Sequence, residues 1–222
     1  VSLQEKEFIK DTFGKAVDPR IRDHMLKGNF KPGGDLIMAT VLFSDIRGFT
    51  SLSENLNPDQ VVNLLNQYFE KMSHCITSNG GIVNKYIGDA VMAIFGAPIE
   101  TDDHGQRAFD AGLQMIEARN KLNEDLKAQG LPEIHTGIGI HSGQLLSGNI
   151  GSKDRLEYTV IGDTVNLSSR IESLCKKLNH DFLISREMFE LLDTRSQEQC
   201  RFKGKVKVKG KENFAQIYTV HY

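Results

Sequence analysis

The sequence predicts an α+β domain built on a βαββαβ core, and three observations predict it. Leu36–Phe43 is an unbroken apolar run of strand length, as a strand covered on both faces requires. Two long segments, an amphipathic one from Asn57-Pro58 to Asn79-Gly80-Gly81 and another over about 103–128, have helical rather than strand length. Between them, 81–89 and 90–95 read as two strands joined at Gly88-Asp89, a hairpin signal. An α+β sandwich with its helices on one sheet face follows as the economical packing.

The elements can be justified in order. Residues 1–34 carry apolar residues at helical spacing in Phe8–Phe13 and Ile21–Leu26, divided by Pro19 and closed by Lys31-Pro-Gly-Gly34. This stretch reads either as a helical lead-in from an upstream module or as a cap packed on the main core, with 35–222 as the main body of the domain. Asn57-Pro58 opens the first long helix, whose apolar side is Val61, Leu64, Leu65, Tyr68, Phe69, Met72 and Ile76, and Asn79-Gly80-Gly81 ends it. After the second long helix come strands near 134–140, 145–150 and 156–160. A third helix begins around Asp163-Thr164 and reaches about Leu178. Strand 181–184, a short helix after Ser185, a Lys-rich hairpin and strand 214–220 complete the chain.

Composition removes whole classes of function. The 222 residues hold 27 basic and 29 acidic side chains, a net charge of −2 that argues against general nucleic-acid binding. No apolar run approaches the roughly 18 residues that span a bilayer. The 3 cysteines are odd in number, widely spaced and without CxxC pairing, which reads as reduced thiols of a cytoplasmic protein.

Asp45 and Asp89 are the first candidates for chemistry, because each ends an apolar strand. A βαββαβ sheet can set those strands side by side, and two carboxylates with few other protein ligands suit Mg²⁺ shared with substrate phosphates. The alternative is that each Asp merely caps a turn. Gly48-Phe49-Thr50 is a glycine turn before a helix, whose N–H groups suit phosphate. Asn166 and Arg170 are spaced i, i+4 and share a helix face, either an ordinary polar face or a fork for a phosphoryl group. Arg201, Lys203, Lys205, Lys207, Lys209 and Lys211 alternate at the strand period, which is either a lysine-guarded edge or a polyphosphate clamp. Gly204–Lys211 is not a P-loop, since Glu212 stands where Ser or Thr is required.

Three blocks, Phe43-Ser-Asp-Ile-Arg-Gly-Phe-Thr50, Asn84-Lys-Tyr-Ile-Gly-Asp89 and Tyr158-Thr-Val-Ile-Gly-Asp-Thr-Val-Asn-Leu-Ser-Ser-Arg170, occur in the order seen in class III nucleotidyl cyclases. Over roughly 35–220 the chain resembles that family, most closely the cyanobacterial adenylyl cyclase domains related to the bicarbonate-responsive soluble cyclase. The resemblance implies a ferredoxin-like βαββαβ core with appended strands and helices, the class III nucleotidyl cyclase fold. It implies conversion of ATP to 3′,5′-cyclic AMP and pyrophosphate. Two Mg²⁺ or Mn²⁺ ions, with Ca²⁺ an option at one site, would be held by Asp45, Asp89 and the Ile46 carbonyl.

The same resemblance assigns Lys85 and Thr159 to the purine edge, Asn166 to the ribose and Arg170 to the α-phosphate. Phe49 and Thr50 would offer backbone contacts to phosphates, and Arg155 and Lys209 would hold the outer ones. Sites are expected across a head-to-tail homodimer, with the metal ligands and Lys85 from one chain and Thr159, Asn166 and Arg170 from the other. Regulatory domains upstream, stimulation by bicarbonate, a cytoplasmic location and no membrane insertion by this segment complete the expectation. Lysine only donates and suits adenine N1, while a threonine oxygen can accept from the adenine 6-amino group. Guanine would want an acceptor in place of Lys85. A guanylyl or mixed-specificity cyclase, and a silent nucleotide-sensing dimerisation module, are the competing readings.

Overall fold

In the computed structural model, residues 17–24, 33–152, 155–207 and 214–222 are described. The lead-in is represented by helix α1 (Pro19–His24), which Pro19 opens rather than divides. Lys209 lies outside the described residues, as does most of the 1–34 segment.

Strand β1 (Gly33–Ile46) starts earlier than the apolar run suggests, because its first residues pair with β4 and need no burial of their own. A short helix α2 (Phe49–Ser53) and the long α3 (Pro58–Ser78) follow. Asn57 caps α3: its side chain accepts from Gln60 N, Gln60 answers at the Asn57 N–H, and Pro58 occupies the first turn. Strands β2 (Ile82–Ile87) and β3 (Ala90–Phe95) form the expected hairpin, with Gly88 at φ 65° in its turn. Helix α4 (His104–Ala128) crosses to β4 (Thr136–Gly151). Then come β5 (Leu156–Ile161), α5 (Asp163–Leu178), β6 (Phe182–Ser185), α6 (Arg186–Phe189), α7 (Thr194–Glu198), β7 (Cys200–Lys207) and β8 (Phe214–Val220).

The sheet order is β2-β3-β1-β4-β6-β8-β7, with β5 paired to β4. Its first four strands are the βαββαβ core, mutually antiparallel, and the rest is appended. Two expectations are corrected here. The stretches near 134–140 and 145–150 are one strand, because β4 pairs along all of β1, from Ile46 opposite Thr136 to Gly33 opposite Asn149. The helices also occupy both sheet faces. Alternate residues Leu42, Ile46, Ile138, Ile140, Phe182 and Ile184 pack with α3 and α4. On the reverse face α5 buries Leu167, Ile171 and Cys175 against Leu183 and Ile217. Beside it Leu145 of β4 and Val160 of β5 fold back onto Val41, Phe43, Met92 and Ile94.

Glycines let α5 lie so close. A Cβ on Gly139 would collide with the Glu172 backbone nitrogen, and one on Gly137 would meet the Glu172 carboxylate. Strand β7 lies at the sheet edge, with Arg201, Lys203, Lys205 and Lys207 exposed, as a lysine-guarded edge requires. No described helix is long and apolar enough to cross a membrane.

Candidate active site

Asp45 stands at the penultimate position of β1, and Asp89 sits in the β2–β3 turn. The antiparallel register places Ser44 opposite Val91 and so brings the end of β1 to the hairpin turn. Asp89 Oδ2 accepts from the Ile46 N–H at 3.2 Å. Burial, the hydrogen bond and charge of the adjoining Asp89, and the nearby Glu172 carboxylate together push the Asp45 carboxyl up to about 7. Asp45 Oδ1 is buried with no hydrogen-bond partner. A desolvated oxygen beside a second carboxylate is costly unless a cation compensates it, so the donor set fits a hard divalent metal. Glu172, also pushed up to about 7 by burial, points at the same space across Gly137. Among the described residues no cluster of three or more His, Cys, Asp or Glu forms a metal cage. Two carboxylates then leave most coordination positions to substrate and water.

Gly48, at φ 67°, turns the chain from β1 into α2, so the first-turn N–H groups of Phe49 and Thr50 lie directly after the carboxylate strand. That turn is braced by Arg47, which pairs with Asp181 at 2.9 Å. The bracing was invisible in the sequence, because 134 positions separate the partners and neither belongs to a shared pattern.

Lys85 and Thr159 form a second group. The Lys85 ammonium pairs with Glu157 at 2.5 Å, and Thr159 Oγ1 donates to Asn84 Oδ1 at 3.1 Å. Asn84 Nδ2 in turn donates to the Tyr158 carbonyl at 3.1 Å. These contacts lie within one chain, because β5 folds back over the face that β2 borders. The division that gave Lys85 to one protomer and Thr159 to its partner is therefore corrected: one protomer presents both. Glu157 and the side chain of Asn84 were missed as site residues. Their signal was adjacency alone, since each neighbours an assigned motif residue by one or two positions.

Asn166 and Arg170 form a third group on α5, and among the described residues neither side chain makes a hydrogen bond or ion pair. Glu172 faces Asp45, and two helical residues rotate by about 200°. Arg170 accordingly projects from the opposite side of α5 from the carboxylate pair. Arg155 is exposed at the β4–β5 turn, where its backbone closes onto Ser152, and no described contact joins it to the other groups. Among the described residues no hydrogen bond or ion pair joins the carboxylate pair, the Lys85–Thr159 group, and Asn166 with Arg170.

Residues 36–221 match the adenylate and guanylate cyclase catalytic domain, and the chain belongs to that family, the class III cyclases. It is 41% identical over 186 residues to an adenylate cyclase of Anabaena cylindrica, covering 82% of this chain and 36% of that protein. The chain thus spans about a third of that curated relative. Among solved structures, the guanylyl cyclase Cya2 superposes with a TM-score of 0.76 at 38% identity, over 85% of this chain and 93% of that one. A bacterial light-regulated adenylyl cyclase superposes with a TM-score of 0.85 at 28% identity, over 98% of this chain and 62% of the other.

Proposed function

We propose that this domain converts ATP to 3′,5′-cyclic AMP and pyrophosphate, at sites completed by a second copy of the chain in a head-to-tail homodimer. The observation that carries the reading is the separation of complementary groups: a half-buried carboxylate pair whose Asp45 Oδ1 has no hydrogen-bond partner on one side, and Asn166 and Arg170, without side-chain partners among the described residues, on the opposite side of α5. Each half lacks what the other holds. Joined across two protomers, Asp45 and Asp89 face Asn166 and Arg170 with the triphosphate between them.

Two divalent ions, Mg²⁺ or Mn²⁺ with Ca²⁺ an option at one position, would be held by Asp45, Asp89 and the Ile46 carbonyl. Bound there, they would neutralise the triphosphate and acidify the ribose 3′-hydroxyl. The chain's own residues do the positioning. Asn166 orients the ribose, and Arg170 offers donors to the charge that grows on the α-phosphate as the 3′-oxygen attacks in line. Phe49 and Thr50 N–H groups, Arg155 and Lys209 are assigned to the outer phosphates. Lys85 donates to adenine N1 and Thr159 accepts from the 6-amino group. Threonine at position 159 is also the basis for expecting stimulation by bicarbonate, which a rate measurement with and without the anion checks. A cytoplasmic location and regulation by upstream domains belong to the same reading.

A second reading, mixed ATP and GTP specificity, is favoured by Glu157, whose carboxylate beside Lys85 supplies an acceptor for guanine N1–H. Product analysis with Mn²⁺ and either nucleotide separates the two. Asp45→Ala and Arg170→Ala are expected to be inactive alone and to recover activity on mixing. Random pairing gives half mixed dimers, each with one intact site of two, or about a quarter of full activity. Lys85→Ala mixed with Thr159→Ala should restore no intact base pocket, because both residues come from one protomer. Failure of the first pair to complement would overturn the shared site.

A further inference from the structure

The hydrogen-bond chain through Asn84 sets the chemistry of the Thr159 hydroxyl. A carbonyl can only accept, so the side-chain atom of Asn84 facing the Tyr158 carbonyl must be the amide nitrogen, at 3.1 Å. That fixes the amide and turns its oxygen to Thr159. An amide oxygen can only accept, so Thr159 must donate its single hydrogen to it, again at 3.1 Å. The threonine hydroxyl is left with lone pairs alone for anything bound beside it. Adenine presents a 6-amino donor at the position where guanine presents the O6 acceptor. Lone pairs attract the first and repel the second.

We propose that Asn84 is a specificity-determining positioning residue: it holds the Thr159 hydroxyl as an obligate acceptor and so biases the site toward adenine over guanine. This rests on the assignment of Thr159 to the purine edge, and the experiment keeps the two apart. The orientation does not arise from Thr159 itself, since a free hydroxyl rotates to donate or accept as the base demands. Substituting Asn84 by Ala releases that rotor, and Thr159 can then donate to guanine O6. The Lys85–Glu157 pair joins nearby residues of the same two strands but involves no atom of this hydrogen-bond relay.

The test compares kcat/KM for ATP and GTP, with Mn²⁺, in the full chain and in Asn84→Ala, Thr159→Ala, the double variant and Lys85→Ala. The expected result is a roughly tenfold fall in the ATP:GTP ratio for Asn84→Ala, carried by KM, with kcat for ATP within about threefold. In the Thr159→Ala background, Asn84→Ala should leave the ratio unchanged, because the hydroxyl it controls is gone. For any variant too slow to assay, the nucleotide-induced shift in melting temperature gives the same ratio from binding. Equal losses for both nucleotides would mark Asn84 as merely structural and overturn the proposal. So would an equal shift in the presence and absence of the Thr159 hydroxyl. If Lys85→Ala and Thr159→Ala both leave the ratio and the ATP KM untouched, the purine-edge assignment itself has failed.

Discussion

Arg47 and Asp181 are ion-paired at 2.9 Å, joining the turn that follows Asp45 to the loop before β6. The other oxygen of Asp181 pairs with Arg119 of α4 at 2.8 Å and accepts from the Tyr222 hydroxyl at 3.1 Å. Burial alone would raise the Asp181 carboxyl, but Arg119 and Arg47 outweigh it and hold the group below the ordinary carboxylate range. One carboxylate thus braces the turn after Asp45 against α4 and the C-terminal residue Tyr222.

Asp181→Ala should be costly for that reason. The Arg119 side chain, only 7% exposed, would keep its charge and lose its counter-ion. Removing one partner of such a pair costs about 3–5 kcal/mol when fully buried, and less here because Asp181 retains some solvent. Urea denaturation should show a loss of about 2–3 kcal/mol, and cyclase activity should fall with it as the Arg47 turn loosens. Unchanged stability would remove the bracing role.

Metal should stabilise the fold through Asp45. In wild-type protein, Mn²⁺ at tenfold excess over its dissociation constant should add about 1.4 kcal/mol, seen as a higher melting temperature. Asp45→Asn replaces the carboxylate that burial and Asp89 disfavour. It should melt higher than wild type in chelator at pH 8, respond little to Mn²⁺ and lose at least about 100-fold in turnover. An undiminished Mn²⁺ response would exclude Asp45 as a ligand.

Glu172 gives a signed pH dependence. Its carboxyl rises from 4.5 to about 7 on folding, chiefly through burial, so the folded state binds the proton more tightly than the unfolded one. The group therefore favours folding most below pH 4.5, and that contribution is lost as pH climbs to about 7. Glu172→Gln removes this titration. The variant should gain melting temperature over wild type at pH 8 relative to pH 5; parallel pH profiles for the two proteins would refute the assignment.

Gly139 is a packing requirement rather than a turn residue. Any Cβ there enters the α5 backbone at Glu172. Gly139→Ala should lose about 1–3 kcal/mol, the range for overpacking a core. It should also disturb activity through the displaced helix. A neutral outcome by thermal denaturation would show that α5 shifts freely.

Much of the fold was legible because its signals are local. The Asn57-Pro58 start and the Asn79-Gly80-Gly81 end bounded α3, and Gly88-Asp89 marked the β2–β3 turn. The error at β4 also has a local cause: His141-Ser142-Gly143-Gln144 carries polar and glycine residues that look like a break. Pairing with β1 keeps it in the strand, and Ser142 is buried against Thr40 at 2.5 Å. The short helix α7 (Thr194–Glu198) was missed, as one turn held by the Asp193 cap gives no periodicity to read.

The sequence by itself determined the strand and helix order of the core, the family, and the residue types available for metal, base and phosphate. Those depend on periodicity and on motifs a few residues long. Only the tertiary structure decided that helices cover both faces and that Lys85 and Thr159 belong to one protomer. It alone showed Arg170 turned away from Asp45, and Thr159 with its only hydrogen committed to Asn84. Each of these depends on the fold-back of β4 and β5 or on the rotation of α5. Such relations join residues far apart in the chain, through packing that no local pattern encodes.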